Sequence, residues 1–241
     1  MLPPYVCSVL TLLICGFVLA YLRTIPPART IERFETLDHL TFEGTYKITF
    51  VRDLLDRAEC DEVMRAATPL LARSEVMSSE HKHGKERTSY SCFMYKDHVD
   101  RATRLVLDKI SDRAARFSGL PESHQEALQV ARYLPGQLYE PHFDACEPLQ
   151  STICQDDLRS RGGRRHSTLL IYLNDVEDGG ETEFPELNKM FRPSLGSAIF
   201  FTNLLPNSDM QHDPLSRHGA RGVRRGVKWV CNQWIRTGPF K

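Results

Sequence analysis

The spacing of hydrophobic and polar positions changes twice along the chain. Residues 6–22, VCSVLTLLICGFVLAYL, carry no charge and almost no polar group. Seventeen such residues sit at the short end of the roughly 17–25 that span a bilayer and exceed the roughly 7–15 of a signal-peptide core. The pattern predicts a single N-terminal membrane anchor over 1–24. A cleaved signal ending near Val18-Leu19-Ala20 is the second reading and a buried core helix the third. Arg23, Arg29 and Arg33 follow the segment and no Lys or Arg precedes it, an asymmetry that would keep the remainder cytoplasmic. Residues 25–45 are charged and proline-interrupted, and read as a stalk. The folded domain is expected over 46–241, opening at Tyr46 with the strand-like alternation YKITFV.

Next comes a helical period. Asp56 and Glu59 have the spacing of a capping box, and Cys60, Val63, Met64, Ala67 and Leu70 follow on one helical face. A second helix is predicted from about Asp97 to Phe117, with Val99, Ala102, Val106, Ile110 and Phe117 on its buried stripe. Between them, His81 and His83 form an H-x-H inside a Ser/Lys/Gly-rich stretch, which reads as a solvated loop rather than a metal site. From Leu128 the helical period disappears. LQVARYL, STLLIYLNDV, SAIFF and GVKWVCNQWI alternate with turn signals at Pro135-Gly136, Gly179-Gly180, Pro193-Ser194 and Gly226. This predicts a mainly β domain, sandwich or barrel, with supporting N-terminal helices.

Composition adds exclusions. The 241 residues carry no net charge at a pI of about 7.1, so nothing points to a polyanionic partner, and one RGGRR run does not make a nucleic-acid binder. The acidic LNDVEDGGETE lacks the ligand alternation of a calcium loop and reads as a turn. Cys60, Cys92, Cys146, Cys154 and Cys231 form an odd set with no C-x-x-C, and their pairing stays open.

The chemistry gathers late in the chain. GQLYEPHFDACEP holds His142 and Asp144 two apart, which on an extended strand share a face. His218, in LSRHGARG, would complete a set of two imidazoles and one carboxylate, the donor set suited to non-haem Fe(II) because it leaves open positions. Lys228 lies between Val227 and Trp229 in an apolar strand pattern, where an unpaired ammonium is costly unless an anion meets it. By alternation Lys228, Val230, Asn232 and Trp234 share one face. An exposed edge-strand lysine is the plainer alternative.

ARYLPGQLYEPHFD, RRHSTLLIYLNDVEDGGETEFP and SRHGARGVRRGVKWVCNQWI, in this order, resemble the prolyl 4-hydroxylase family of Fe(II)/2-oxoglutarate dioxygenases. The similarity extends upstream through LLDRAECDEVMRAATPLLARSEV and ERTSYS, and so covers about Tyr46 to the C-terminus. It implies a double-stranded β-helix, or jelly-roll, core over about 128–237. His142, Asp144 and His218 fall on the family's iron ligands. Lys228, with Tyr133 and Thr182, falls on its 2-oxoglutarate site. Tyr139, Arg165 and Trp234, and more loosely Arg87, Ser89, Glu126 and Gln129, fall on its peptide groove. The implied reaction is proline hydroxylation with Fe(II), 2-oxoglutarate and O2, with ascorbate as reductant, by a domain held in the lumen of the endoplasmic reticulum or Golgi by a type II anchor. A related oxygenase acting on another side chain and a non-catalytic jelly-roll binding module are the alternatives.

Three departures stand against the family pattern. The usual S-L-H-A-G is here Ser216-Arg217-His218-Gly219-Ala220, Arg236 replaces a groove-side histidine, and the segment from Asp144 to Arg165 is longer than in the shortest relatives. Arg159, Arg161, Arg164 and Arg165, with Arg217, Arg221, Arg224 and Arg225, also predict a basic rim that would favour acid-flanked peptides.

Overall fold

The computed structural model describes residues 33–41, 44–74, 86–147, 152–206, 208 and 211–241. The apolar stretch 6–22 and the His81/His83 pair lie outside them. Among the described residues no helix is long and apolar enough to cross a membrane.

β1 (Arg33–Thr41) and β2 (Gly44–Arg52) pair antiparallel, from Arg33 opposite Arg52 to Thr41 opposite Gly44. The stalk reading of 25–45 is therefore corrected from residue 33 onward. An edge strand draws on main-chain pairing with its neighbour and needs no apolar alternation of its own. β2 does alternate: Tyr46 and Ile48 are buried while Lys47 is exposed.

α1 (Arg57–Ala67) starts as expected. The Asp56 carboxylate accepts from the Glu59 amide at 2.9 Å, and the Glu59 carboxylate accepts from the Asp56 amide at 2.8 Å, a cap worth about 1 kcal/mol. Cys60, Val63 and Ala67 are buried, but Leu70 falls in a 3-10 turn past the helix and is exposed. α2 (Arg101–Ser118) begins after Asp100, whose side chain accepts from the Thr103 amide, so residues 97–99 precede the helix. On its inner stripe Ala102 is exposed and Thr103 is buried instead, its hydroxyl donating to Glu62 at 2.6 Å.

The remaining strands are β3 (Ala72–Arg73), β4 (Tyr90–Met94), β5 (Leu128–Tyr133), β6 (Tyr139–His142), β7 (Arg165–Tyr172), β8 (Asp178–Gly179), β9 (Thr182–Phe184), β10 (Lys189–Phe191), β11 (Ala198–Thr202), β12 (His218–Ala220), β13 (Val223–Arg225) and β14 (Lys228–Arg236). They build an eight-stranded sheet in the order β1-β2-β11-β7-β14-β5-β4-β3, a four-stranded sheet in the order β10-β9-β12-β6, and a two-stranded ribbon of β13 and β8. This mainly β architecture with some helices is consistent with a jelly-roll. A helix over Thr152–Ser160, α3, interrupts the region expected to be free of helical structure.

The large sheet is buried on both faces, which is why its inner strands read as nearly continuous apolar runs. Leu169 and Ile171 of β7, Ala198 and Phe200 of β11, and Cys231 and Ile235 of β14 join Val63, Val106 and Ile110 of the two helices in one core. Alternate residues Leu170 and Tyr172, Ile199 and Phe201, and Val230 join Phe184 and Phe191 of the smaller sheet in a second. Between the two sheets lies the functional cavity.

Candidate active site

The pairing of β6 with β12 sets His142 directly opposite His218. The strands approach closely because residue 219 is glycine: a Cβ there would lie 2.9 Å from the Tyr139 carbonyl oxygen and 3.0 Å from the Pro141 nitrogen. Asp144 lies in a bend two residues past the end of β6, so the expectation that strand alternation aims it is corrected. What fixes Asp144 is a hydrogen bond to its Oδ2 from the Thr168 hydroxyl at 2.6 Å, and Asn203 in turn donates to Thr168 at 2.9 Å.

The three donor atoms lie within 4.8 Å of one another. His142 Nε2 is 3.8 Å from Asp144 Oδ1, and His218 Nε2 is 3.7 Å from Asp144 Oδ2. Each imidazole uses its other nitrogen on a backbone carbonyl: His142 Nδ1 on Glu140 at 2.8 Å and His218 Nδ1 on Ser216 at 2.9 Å. A carbonyl only accepts, so Nδ1 carries the proton and each Nε2 lone pair faces the shared gap. Burial, followed by the nearby His218, pushes His142 well below its ordinary pKa and keeps the ring neutral. Burial opposes the charge on Asp144, but His218, His142, Arg165 and the Thr168 hydrogen bond outweigh it and keep the carboxylate ionised. Two imidazoles and one carboxylate, oriented from behind, fit Fe(II).

The same cavity, of about 630 Å³, is lined by Lys228, Val230, Asn232 and Trp234, the face that alternation predicted. Lys228 is 1% exposed and has no ion-pair partner among the described residues. Its ammonium lies 5.3 Å from the ring centre of Tyr133, its cross-strand neighbour, and 5.7 Å from that of Tyr172. Burial drives its pKa down to about 7, opposed only by the charge of Glu181. Thr182 also lines the cavity, its hydroxyl accepting from Tyr172 at 2.7 Å. A buried cation held by aromatic walls, with no acid of its own, is arranged to receive an anion.

Tyr139, Arg87, Gln129, Arg165 and Trp234 also line the cavity. The Arg165 guanidinium lies 3.5 Å from the Trp234 ring centre and clasps Glu126 through two hydrogen bonds, at 2.6 and 2.9 Å. Arg236, buried, adds a third bond to Glu126 at 2.9 Å. Burial works against the Glu126 charge, yet the two guanidiniums win and lower its pKa. Glu126 and Ser89 do not line the cavity. Glu126 supports Arg165 from behind, and Ser89 accepts from Arg87 Nε at 3.1 Å.

Comparison with known proteins places this geometry. The 2OG-Fe(II) oxygenase superfamily model matches residues 128–236. A probable prolyl 4-hydroxylase 3 of Arabidopsis thaliana is 32% identical over 212 residues, covering 78% of this chain and 69% of its own length. A putative prolyl 4-hydroxylase of Acanthamoeba polyphaga mimivirus is 33% identical over 214 residues, covering 88% and 84%. The chain belongs to the prolyl 4-hydroxylase family. It is an Fe(II)/2-oxoglutarate-dependent dioxygenase. Among solved structures, the 2-oxoglutarate complex of the viral collagen prolyl hydroxylase from Paramecium bursaria Chlorella virus-1 superposes with a TM-score of 0.59 at 28% identity, over 78% of this chain and 94% of that one.

Within this family frame, two features change the expected picture. Six of the eight rim arginines have acid partners. Arg217 meets Glu186 at 3.3 Å, Arg221 meets Glu183 at 3.2 Å, Arg224 meets Asp178 at 2.6 Å and Arg225 meets Glu177 at 2.7 Å. Arg164 is buried against Glu147 at 2.9 Å, and Arg165 against Glu126. The acidic 177–186 segment is thus the counter-charge of the 217–225 arginines. The long segment after Asp144 is closed by a disulfide between Cys146 and Cys154, while Cys60, Cys92 and Cys231 are buried and free. Sequence reasoning missed Thr168, Asn203 and Tyr172 as supports of the site. Thr168, next to Ser167 at the start of a buried apolar run, was the one that left a trace.

Proposed function

We propose that this dioxygenase hydroxylates peptidyl proline at C4. The observation that carries the reading is the convergence, in one cavity, of the His142/Asp144/His218 donor set, the acid-free cation Lys228, and an aromatic wall of Tyr139 and Trp234. Fe(II), bound with 2-oxoglutarate and O2, supplies the oxidation. The chain's own residues bind and orient. His142, Asp144 and His218 hold the metal, with Thr168 and the Glu140 and Ser216 carbonyls fixing their angles. Lys228 takes the distal carboxylate of 2-oxoglutarate, with Tyr133 and Thr182 beside it. Tyr139 and Trp234 give the peptide site its aromatic wall, Arg87, Gln129 and Arg165 offer hydrogen bonds to the peptide, and Ser89 and Glu126 hold the arginines in place. The surrounding apolar core keeps bulk water from the reacting centre. The similarity to the viral collagen prolyl hydroxylase supports a proline-containing peptide as substrate. The test is incubation with Fe(II), ascorbate, 2-oxoglutarate and a panel of proline-rich peptides. Hydroxyproline should appear by amino-acid analysis in step with succinate. Succinate coupled to oxygen on a different side chain would move the assignment to a non-prolyl oxygenase.

We further propose that residues 6–22 anchor the enzyme as a single-pass type II protein with the catalytic domain in the lumen of the endoplasmic reticulum or Golgi. The Cys146–Cys154 disulfide supports an oxidising compartment; Arg23, Arg29 and Arg33 after the apolar stretch argue the other way. In sealed microsomes the domain should resist added protease until detergent is present. Digestion without detergent would reverse the orientation.

A further inference from the structure

Tyr139 does more in this structure than face the cavity. Its ring stacks on the imidazole of His142, with centroids 3.6 Å apart and planes 17° from parallel. The Arg87 guanidinium lies 4.8 Å from the centre of the same Tyr139 ring. Arg87, Tyr139 and His142 therefore form a column that ends at a metal-ligand position.

Main-chain bonds reinforce the column. The segment around Arg87 pairs beside β6: Arg87 bridges to Tyr139, the Glu140 amide donates to the Glu86 carbonyl at 2.8 Å, and the Thr88 amide donates to the Leu138 carbonyl at 3.1 Å. The Glu140 carbonyl is the group that holds His142 Nδ1. One residue, Glu140, thus joins the Arg87 segment through its amide and the His142 imidazole through its carbonyl. Arg87 itself is only 6% exposed, and it donates to neutral partners: the Ser89 hydroxyl and the Gln129 carboxamide oxygen, the latter at 3.1 Å. No carboxylate neutralises it among the described residues, so an approaching peptide carbonyl is a stronger competitor for its donors than it would be for a salt-bridged arginine.

We propose that this column couples peptide binding to the metal: Arg87 and Tyr139 are positioning residues that set the orientation of His142 and transmit peptide contact to it. The inference rests on the assignment of the cavity as a metal and peptide site and adds how the two halves communicate. A ring stacked on one face of a ligand imidazole limits its rotation about the axis set by the Nδ1 hydrogen bond, and so steadies the direction of the Nε2 lone pair. A peptide that draws Arg87 off the Tyr139 face changes that restraint.

The test uses Co(II) as a spectroscopic metal with the full chain, comparing wild type with Tyr139→Phe, Tyr139→Leu and Arg87→Met. Outer partners of metal-ligating imidazoles are typically worth roughly 10–100-fold in metal affinity. Tyr139→Leu should therefore bind Co(II) about tenfold more weakly, while Tyr139→Phe, which keeps the stack, binds as wild type. Adding a proline-rich peptide to the Co(II)/2-oxoglutarate form should shift the visible ligand-field bands in wild type and Tyr139→Phe, and leave them unmoved in Tyr139→Leu and Arg87→Met. Unchanged melting temperatures in all four proteins would exclude general loosening of the fold. Wild-type Co(II) affinity in Tyr139→Leu, or an equal peptide-induced shift in every variant, would overturn the coupling. Failure of wild type itself to bind Co(II) would instead overturn the metal assignment beneath it, so the two failures are told apart.

Discussion

Replacing His218 with alanine is expected to abolish turnover and remove bound metal, with the fold intact. The hydrogen-bond partners behind such ligands are already worth roughly 10–100-fold in metal affinity, and losing a ligand leaves only His142 and Asp144, which cannot define a face of the coordination sphere. The control is His212→Ala. His212 is nearby in sequence, but it pairs with Glu147 and packs on Phe143 instead of joining the donor set. Metal analysis and turnover of the two variants should separate cleanly. Full activity in His218→Ala, or loss of metal in His212→Ala alone, would refute the assigned donors.

The second large effect belongs to Lys228. Its removal leaves the distal carboxylate of bound 2-oxoglutarate without its charge in a buried place, a loss of about 2–4 kcal/mol, or roughly 30-fold or more in apparent KM. The effect should also carry a pH signature. In the free protein the ammonium titrates at about 7, down from 10.5, with Tyr133, Tyr172 and Glu181 the groups around it. Binding the dianion favours the charged form and raises that value. Affinity for 2-oxoglutarate is then greatest below about pH 7 and falls as pH rises through the window between the free and bound values, by up to about tenfold per unit. Titrations at several pH values, at fixed metal loading, measure this directly. The slope should vanish in Lys228→Ala. A flat profile in wild type, or an unchanged KM in the variant, would show that Lys228 does not meet the co-substrate.

The legible parts of this protein were those where one residue type is out of place for its local period. Lys228 is a charge inside an apolar strand, and its alternation with Val230, Asn232 and Trp234 gave the cavity face directly. The α1 cap was legible because its hydrogen bonds are local, Asp56 to Glu59. What could not be read depends on partners far away in the chain. The arginines at 217–225 look like a basic surface until the fold lays the acids of 177–186 against them. Glu126 reads as an ordinary acid, yet it is buried between Arg165 and Arg236. β1 is defined by its main-chain pairing with β2, which a single stretch of sequence does not show. Thr103 displaced Ala102 from the inner stripe of α2 because a hydroxyl with Glu62 to accept its proton is no longer costly to bury. The roles of His142, Asp144 and His218 were set by resemblance as well as spacing, and the bend that aims Asp144 was visible in neither.

The register of β6 against β12 also bears on biosynthesis. His142 and His218 meet only after the chain has run through the strands from β7 to β11 and returned. Pairings of such long sequence separation form late and slowly compared with local helices. A nascent polypeptide that has emerged only as far as β11 lacks His218 and therefore the complete donor set. Assembly of the complete iron site is therefore a late event in the maturation of this enzyme, waiting on the return of β12 to β6.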